Sequence, residues 1–214
     1  MIVKNLGEQN SVAGEFLREL RDPGIQKDRL RFRHNLSRLG EIMAYEISKD
    51  LDYHKEEVNT PLGTSVMNLP DPEIVLLTIL RAGLPFLQGF QHVFDHADTG
   101  FIGSYRVEGT SEIHIQREYM AAPSLAGKTV IITDTMLATG RSLVDAVTTA
   151  IRHGQPTHLH LASVISAPEG VQHLVKNIKI PSTLWVFAID EKLNSKYYIV
   201  PGLGDAGDLC FGPK

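Results

Sequence analysis

The chain has 214 residues, 43% of them hydrophobic, and a formal net charge of −4 at neutral pH. This composition predicts one domain with a substantial core, and the acidic balance argues against a nucleic-acid partner. No apolar run is long enough to span a membrane and no charged-then-apolar leader is visible, so we expect no membrane partner. The single cysteine, Cys210, excludes an internal disulfide and favours a cytoplasmic location.

The N-terminal part, about residues 1–60, is predicted to be helical. Apolar side chains recur at helical spacing between Phe32 and Asp50, which indicates an amphipathic helix. Pro61 and the sequence Pro70-Asp71-Pro72 then interrupt the chain. The apolar run Ile74–Ile79 is typical of a buried parallel strand and marks the start of the core.

Strands and helices alternate through this core, which we place at about residues 74–190. The further elements are a helix over Gly83–Phe94, strands over Gly100–Ser104 and Thr129–Thr133, a helix over Leu143–His153, a strand over Leu159–Ile165, a helix near Gly170–Asn177 and a strand over Thr183–Ala188. Residues Glu108–Ala122 lack a clean period and are predicted to form a mobile arm. The alternation predicts an α/β fold with a mostly parallel central sheet flanked by helices. On such sheets, ligands bind at the carboxyl ends of the strands.

One strand of the core leads into a predicted anion site. After Thr129–Thr133 the chain reads Asp134-Thr135-Met136-Leu137-Ala138-Thr139-Gly140-Arg141-Ser142 and then enters a helix. The first N–H groups of a helix have no internal partners and favour an anion. Gly140 would let the backbone approach a phosphate, Thr139 and Ser142 add hydroxyl donors, and Asp134 suits sugar hydroxyls or a metal.

The spacing of this loop fits neither a Walker A motif nor a dinucleotide fingerprint, because it contains only one glycine. The alternative interpretation is a plain strand–loop–helix turn in which Asp134 and Ser142 only cap the helix.

The C-terminal segment, residues 197–214, has an unusual composition. The stretch Tyr197–Asp208 places three glycines, a proline and two acids after two aromatic residues. So many glycines indicate exposed main-chain groups, which could pair with the edge of a planar base. The alternative is a flexible polar tail. The apolar pairs Ile199-Val200 and Cys210-Phe211 favour a packed segment.

These two stretches resemble the uracil phosphoribosyltransferase family. Asp134–Ser142 is similar to that family's loop for phosphoribosyl pyrophosphate (PRPP), and Tyr198–Asp208 to its uracil-binding segment. Ile79–Leu84 resembles its pyrophosphate-side loop, and Ser104-Tyr105-Arg106 the start of its flexible arm. The resemblance covers about Ile25 to the end, and it implies a phosphoribosyltransferase-like fold with a flexible arm and a C-terminal base-binding segment.

The resemblance also implies an activity, the conversion of uracil and PRPP into UMP and pyrophosphate in pyrimidine salvage. Catalysis would rest on Asp134, Asp205 and Arg106. PRPP would bind to Arg81, Arg106, Asp134, Thr135, Met136, Leu137, Ala138, Thr139, Gly140, Arg141, Ser142 and Asp205. Uracil would bind to Tyr198, Ile199, Gly204, Asp205 and Ala206. Mg²⁺ is the implied cofactor, with Asp205 in its outer shell through water, and a homo-oligomer is the implied assembly.

Three residues depart from the family pattern. Thr135 replaces a proline, Arg141 replaces a glycine, and Leu209 replaces an arginine. Two alternatives therefore stay open: a non-catalytic or RNA-binding regulatory pyrimidine-binding paralogue, and a transferase for another base such as orotate or a purine. Arg81 alone could also be a surface ion-pair residue.

Overall fold

The computed structural model describes residues 1–71, 73–106 and 116–213. Within them, the strands are β1 (Ile2–Asn5), β2 (Tyr53–Thr60), β3 (Gly63–Pro70), β4 (Ile74–Ile79), β5 (Asp98–Arg106), β6 (Gln116–Ala121), β7 (Thr129–Leu137), β8 (His158–Ser166), β9 (Ser182–Ile189), β10 (Lys192–Leu193) and β11 (Ile199–Val200). The α-helices are α1 (Ala13–Arg21), α2 (Arg29–Ser48), α3 (Gly83–Val93), α4 (Arg141–Ile151), α5 (Pro168–Asn177) and α6 (Ala206–Phe211). A short 3-10 helix follows β1 at Leu6–Glu8.

The central sheet of the described chain has seven strands in the order β1-β9-β8-β7-β4-β5-β6. Neighbouring strands are parallel except for β6, which pairs antiparallel with β5. Helices cover both faces, so alternate residues of one strand enter different cores. Leu76 of β4 lies in the cluster with α2 and α3, whereas Val75 and Leu77 lie in the cluster with α4. Burial on both faces explains the uninterrupted apolar run of β4 and confirms the expected mostly parallel sheet.

The expectation of a helical N-terminal part was incomplete. Strand β1 joins the edge of the central sheet beside β9. Strands β2 and β3 form a separate two-stranded hairpin around the turn at Pro61 and Leu62. Almost all side chains of this hairpin are exposed. Because neither face packs on the core, the sequence carries no alternation of apolar and polar residues that would have revealed the hairpin.

The predicted arm over Glu108–Ala122 is corrected in its second half, which forms β6 along the edge of the sheet. Residues 107–115 lie outside the described residues. Antiparallel pairing with β5 supplies the order that the irregular sequence did not indicate. Among the described helices, none has both the length and the apolar composition needed to cross a bilayer.

Candidate active site

Strand β7 is longer than the sequence suggested, and this changes the position of Asp134. The strand continues to Leu137 instead of stopping at Thr133. Its pairing with β8 runs through Asp134 opposite Ser163 and resumes at Met136 opposite Ile165. Asp134 therefore lies within the strand, and the expected nine-residue loop shortens to about three residues before α4. The strand continues because a parallel neighbour pairs its backbone on this side, whatever the polarity of its side chains.

A second loop, after β4, lies beside this part of β7. Gly83 begins α3, and a Cβ there would lie 2.3 Å from Thr78 Oγ1 and 3.1 Å from the Thr133 carbonyl oxygen. A glycine thus lets α3 start close against both strands. The Leu80 N–H also donates to the Ile102 carbonyl at 2.9 Å, which ties the loop to β5. These contacts fix the loop that carries Arg81 beside the strand that carries Asp134.

Arg81 and Asp134 share one cleft at the carboxyl end of the sheet. The cleft has a volume of about 660 Å³ and is lined by Ile79, Leu80, Arg81, Ala82, Gly103, Tyr119, Asp134, Asp205, Gly207, Asp208 and Pro213. Its lining joins residues from the ends of β4 and β5, from β6 and β7, and from the C-terminal segment. This volume is in the range of ordinary small-molecule sites.

Asp134 has an altered acidity. The residue as a whole is half-buried. Burial of its carboxyl group raises the pKa to about 6, while the backbone N–H groups of Thr135 and Met136 oppose this by stabilising the carboxylate. A carboxylate held this way can accept hydrogen bonds from hydroxyl groups in the cleft. Strongly shifted pKa values of this kind are common at functional sites.

Arg81 makes only weak contacts inside the protein. Its Nη2 lies 3.4 Å from Asp208 Oδ1, and its Nη1 lies 3.5 Å from the Gly212 carbonyl oxygen. About a third of the arginine side chain is exposed. The alternative that Arg81 is an ion-pair residue is therefore confirmed in part, by its contact with Asp208. Because these contacts are long, the guanidinium can still bind an anion in the cleft.

The short loop before α4 presents backbone donors. Gly140 has φ 77°, and a Cβ on it would lie 2.9 Å from the Gly170 carbonyl oxygen. Backbone conformation and the packing of α5 thus already require glycine here, before any phosphate is considered. Within the described residues, the N–H groups of Thr139, Gly140 and Ser142 meet no acceptor, and the Arg141 N–H has only the Thr139 hydroxyl at 3.5 Å. The loop therefore retains free donors for an anion.

The C-terminal segment is packed, as predicted, and is not a free tail. Ile199 lies in β11, which pairs with β10, and it is buried in the core together with Leu203, Ala206 and Cys210. Asp205 caps the N-terminus of α6, and its carboxylate accepts from the Asp208 N–H at 3.0 Å. This helix closes one side of the cleft.

The structure brings together some of the predicted site residues and separates others. Arg81, Asp134 and Asp205 line the cleft, whereas Tyr198 is exposed and Ile199 is buried outside its lining. Arg106 ends β5, but its side chain lies outside the described part. Gly103, Tyr119 and Asp208 line the cleft although the sequence did not single them out for it. Of these three residues, only Asp208 could have been found from the sequence. An Asp that is followed three residues later by a second acid, as Asp205 is by Asp208, is typical of a helix start.

Comparison with known proteins shows the family of the chain. The family model for uracil phosphoribosyltransferase matches residues 9–213. A uracil phosphoribosyltransferase of Porphyromonas gingivalis is 44% identical over 215 residues, which is 100% of both chains. One of Aquifex aeolicus is 42% identical over 182 residues, with 85% and 86% covered.

The chain belongs to the uracil phosphoribosyltransferase family. A solved structure of an Aquifex aeolicus protein superposes with a TM-score of 0.86 at 35% identity, covering 99% of this chain and 98% of that one. As a member of this family, the chain is an enzyme of the pentosyltransferase class.

The three departures from the uracil phosphoribosyltransferase pattern have local consequences. Thr135 is buried, and its hydroxyl has no hydrogen-bond partner in the part of the chain that the structure describes. Arg141 is exposed at the start of α4. Leu209 is half-buried and packs against the larger core cluster, so an apolar contact stands where the resemblance led us to expect a charge. None of these side chains lines the cleft.

Proposed function

We propose that this chain transfers the phosphoribosyl group of PRPP to N1 of uracil, forming UMP and pyrophosphate in pyrimidine salvage. In the reaction the bond between N1 and the anomeric carbon forms, the bond to the diphosphate oxygen breaks, and the N1 proton is released. The observation that carries the proposal is the convergence of Arg81, Asp134 and the C-terminal segment on one cleft. The same cleft would thus hold a sugar, an anionic leaving group and a base.

PRPP fits the donors and acceptors around Asp134. Its 5-phosphate would bind to the free N–H groups of the Thr139–Ser142 loop, at the start of α4. Asp134, in the strand just before that loop, would accept from the ribose hydroxyls. Arg81, which also lines the cleft, would bind the diphosphate in place of its long contact to Asp208. Arg106 is proposed as a second cation for the same group.

Uracil would be bound by main-chain groups of the C-terminal segment. Gly202 and Gly204 have φ 64° and 95°, left-handed backbone conformations that glycine adopts without strain. The exposed peptide groups near Gly204 and Asp205 are proposed to pair with the base edge, with Tyr198 and Ala206 at its border. Reading through peptide groups needs no long polar side chain.

The charge of the cleft supports a role for Mg²⁺. Three carboxylates, those of Asp134, Asp205 and Asp208, face one guanidinium, that of Arg81, among the described lining residues. An anionic diphosphate would be repelled there without a divalent cation. Among the described residues, no group of three or more His, Cys, Asp or Glu side chains could hold a metal alone. The ion would be held mainly by substrate oxygens, with Asp205 hydrogen-bonded through water, and it would stabilise charge on the leaving diphosphate.

A homo-oligomer is also proposed, and the hairpin of β2 and β3 supports it. An isolated two-stranded hairpin is marginal in water. Here it also exposes apolar side chains, with Leu62 100%, Val66 62% and Met67 47% accessible. A second copy of the chain would cover them. Light scattering should therefore give a mass above that of one 23.7 kDa chain, and replacing Leu62 and Val66 by Ser should lower it. A monomeric wild type would refute the assembly.

A cytoplasmic location is proposed from the buried free thiol of Cys210 and from the substrates named above.

The catalytic proposal is tested by incubating the purified chain with labelled uracil and PRPP, with and without Mg²⁺. We expect UMP and pyrophosphate in equal amounts, and neither after chelation of the metal. Absence of UMP while the chain binds uracil would favour the non-catalytic alternative instead.

A further inference from the structure

Two side chains of the N-terminal part, Arg21 and Gln26, and one that directly follows β9, Asp190, hold the backbone of the C-terminal segment. Arg21, the last residue of α1, donates to both carboxylate oxygens of Asp190 at 2.7 and 2.9 Å. The same guanidinium donates to the Gly202 carbonyl oxygen at 3.0 Å. Asp190 in turn accepts from the Gly202 N–H at 2.8 Å. Both polar groups of one peptide residue are thus bound to a single ion pair.

Gln26 holds the backbone of the next residue, Leu203, by a hydrogen bond. Its Nε2 donates to the Leu203 carbonyl oxygen at 3.2 Å and to the Leu20 carbonyl oxygen at 2.8 Å. Two successive carbonyl groups, those of Gly202 and Leu203, are therefore oriented by side chains from the N-terminal segment. The residues that follow, Gly204 to Ala206, are those assigned to the base.

The ion pair is protected from solvent. The side chain of Asp190 is only 6% exposed and that of Arg21 23%. A bidentate arginine–carboxylate pair of this kind fixes direction as well as distance. Asp190 is itself anchored, because its N–H donates to the Ser166 carbonyl at the end of β8 at 2.8 Å. The ion pair therefore fixes the position of Gly202 relative to the central sheet.

Helix α1 has its own attachment, so it can serve as a fixed support. Glu19 accepts two bonds from Arg31 of α2 and one from Asn35 at 2.7 Å. These hydrogen bonds lower the pKa of Glu19 to about 2, so the carboxylate stays charged at neutral pH. Arg21 is two residues further along the same helix.

We propose that Arg21, Gln26 and Asp190 are positioning residues for base recognition, which hold Gly202 and Leu203 so that the following peptide groups face uracil. This inference rests on the proposed function of the C-terminal segment. None of the three side chains lines the cleft, so they act through the backbone that they hold.

The test compares Arg21→Lys and Gln26→Met with the wild type, using initial rates with uracil and PRPP varied separately. Lysine keeps the charge but cannot make the bidentate contact, and methionine keeps the length of Gln26 without its donor. We expect the KM for uracil to rise about tenfold in each variant. A change of this size corresponds to the loss of one hydrogen bond that holds the C-terminal segment. The KM for PRPP should stay within about twofold, because the phosphate loop before α4 keeps its own contacts.

Arg18→Lys is the matched control, because Arg18 lies one turn earlier on α1 and pairs with Glu15 in an exposed position. It should leave both KM values unchanged. Equal rises in both KM values, or an unchanged KM for uracil in Gln26→Met, would overturn the positioning role. Should Arg21→Lys not fold, as judged by its thermal melt, Gln26→Met decides alone. A wild type that forms no UMP would instead overturn the proposed function.

Discussion

Replacing Asp134 by Asn should stabilise the protein without substrates and remove most of its activity. The residue is half-buried, and burial of its carboxyl group raises the pKa to about 6. At neutral pH the folded chain therefore carries a carboxylate in an unfavourable environment. Asparagine has the same shape and can still accept from the N–H groups of Thr135 and Met136, but it carries no charge.

The magnitude follows from the size of the shift. The pKa of Asp134 rises from the ordinary value of 3.8 to about 6, which is about two pH units. A difference of one unit corresponds to about 1.4 kcal/mol of unfolding free energy. Because Asp134 is partly accessible to water, we expect a gain of about 1–3 kcal/mol above pH 7. Activity should fall about ten- to hundredfold in kcat/KM for PRPP, since a charge-assisted bond to a hydroxyl is worth about 1.5–3 kcal/mol.

The sign of the pH dependence is fixed by the raised pKa. Between pH 4 and 6 the folded chain keeps a proton on Asp134 that the unfolded chain has already released. The stability that the folded chain gains by keeping this proton is fully present below pH 4 and is lost as the pH rises through 6. Urea denaturation of wild type and Asp134→Asn at pH 4 and pH 8 should therefore show a larger difference at pH 8.

The control for this experiment is Asp95→Asn, because Asp95 is an exposed carboxylate that does not belong to the cleft lining. It should change the unfolding free energy little at either pH. An Asp134→Asn protein less stable than wild type at pH 8, or a difference that does not depend on pH, would refute the account of the carboxylate. Unchanged kcat/KM for PRPP would refute its role in binding ribose.

Three further predictions concern single positions. Gly140→Val should lower the melting temperature, because its φ is 77°, and should weaken PRPP binding more than uracil binding in calorimetric titrations; equal weakening would indicate a folding defect alone. Gly202→Ala should lower the melting temperature more than Gly204→Ala, since its Cβ would lie 2.2 Å from a carbonyl oxygen while that at 204 has no neighbour within 3.8 Å; the reverse order would contradict the packing. Burial lowers the pKa of His160 to about 4, so its contribution to stability is present above pH 6.5 and is lost as the pH falls towards 4. His160→Gln should therefore reduce acid destabilisation in denaturation at pH 7 and pH 4.5, and an unchanged acid response would show that His160 does not cause it.

The parts of the fold that the sequence predicted are those buried on both faces. Strand β4 was expected at Ile74–Ile79 and lies at those residues, because a strand covered by helices on both sides must be apolar throughout. Strand β7 was cut short at Thr133, because Asp134 and Thr135 look like the start of a loop. Its backbone pairing with β8 is a tertiary contact that no local pattern reports.

The site shows the same division. The convergence of Arg81 and Asp134 was predictable, since the carboxyl ends of neighbouring parallel strands meet at one edge. Helix α6 was missed, because its glycines and acids resemble a loop when read alone. Asp208 and Tyr119 reach the cleft only after the C-terminal segment and β6 have packed beside it, so their places depend on the whole fold.

The C-terminal segment is proposed to make the transfer from PRPP selective for uracil. One competition measures it most directly: limiting PRPP and Mg²⁺ with equal amounts of uracil, cytosine, orotate and hypoxanthine, and the nucleotide products separated and counted. Cytosine has an amino group where uracil has a carbonyl oxygen, so a peptide N–H meant for that oxygen would be left unpaired. We expect UMP to account for nearly all of the product. A mixture in which CMP or another nucleotide equals or exceeds UMP would contradict the claim.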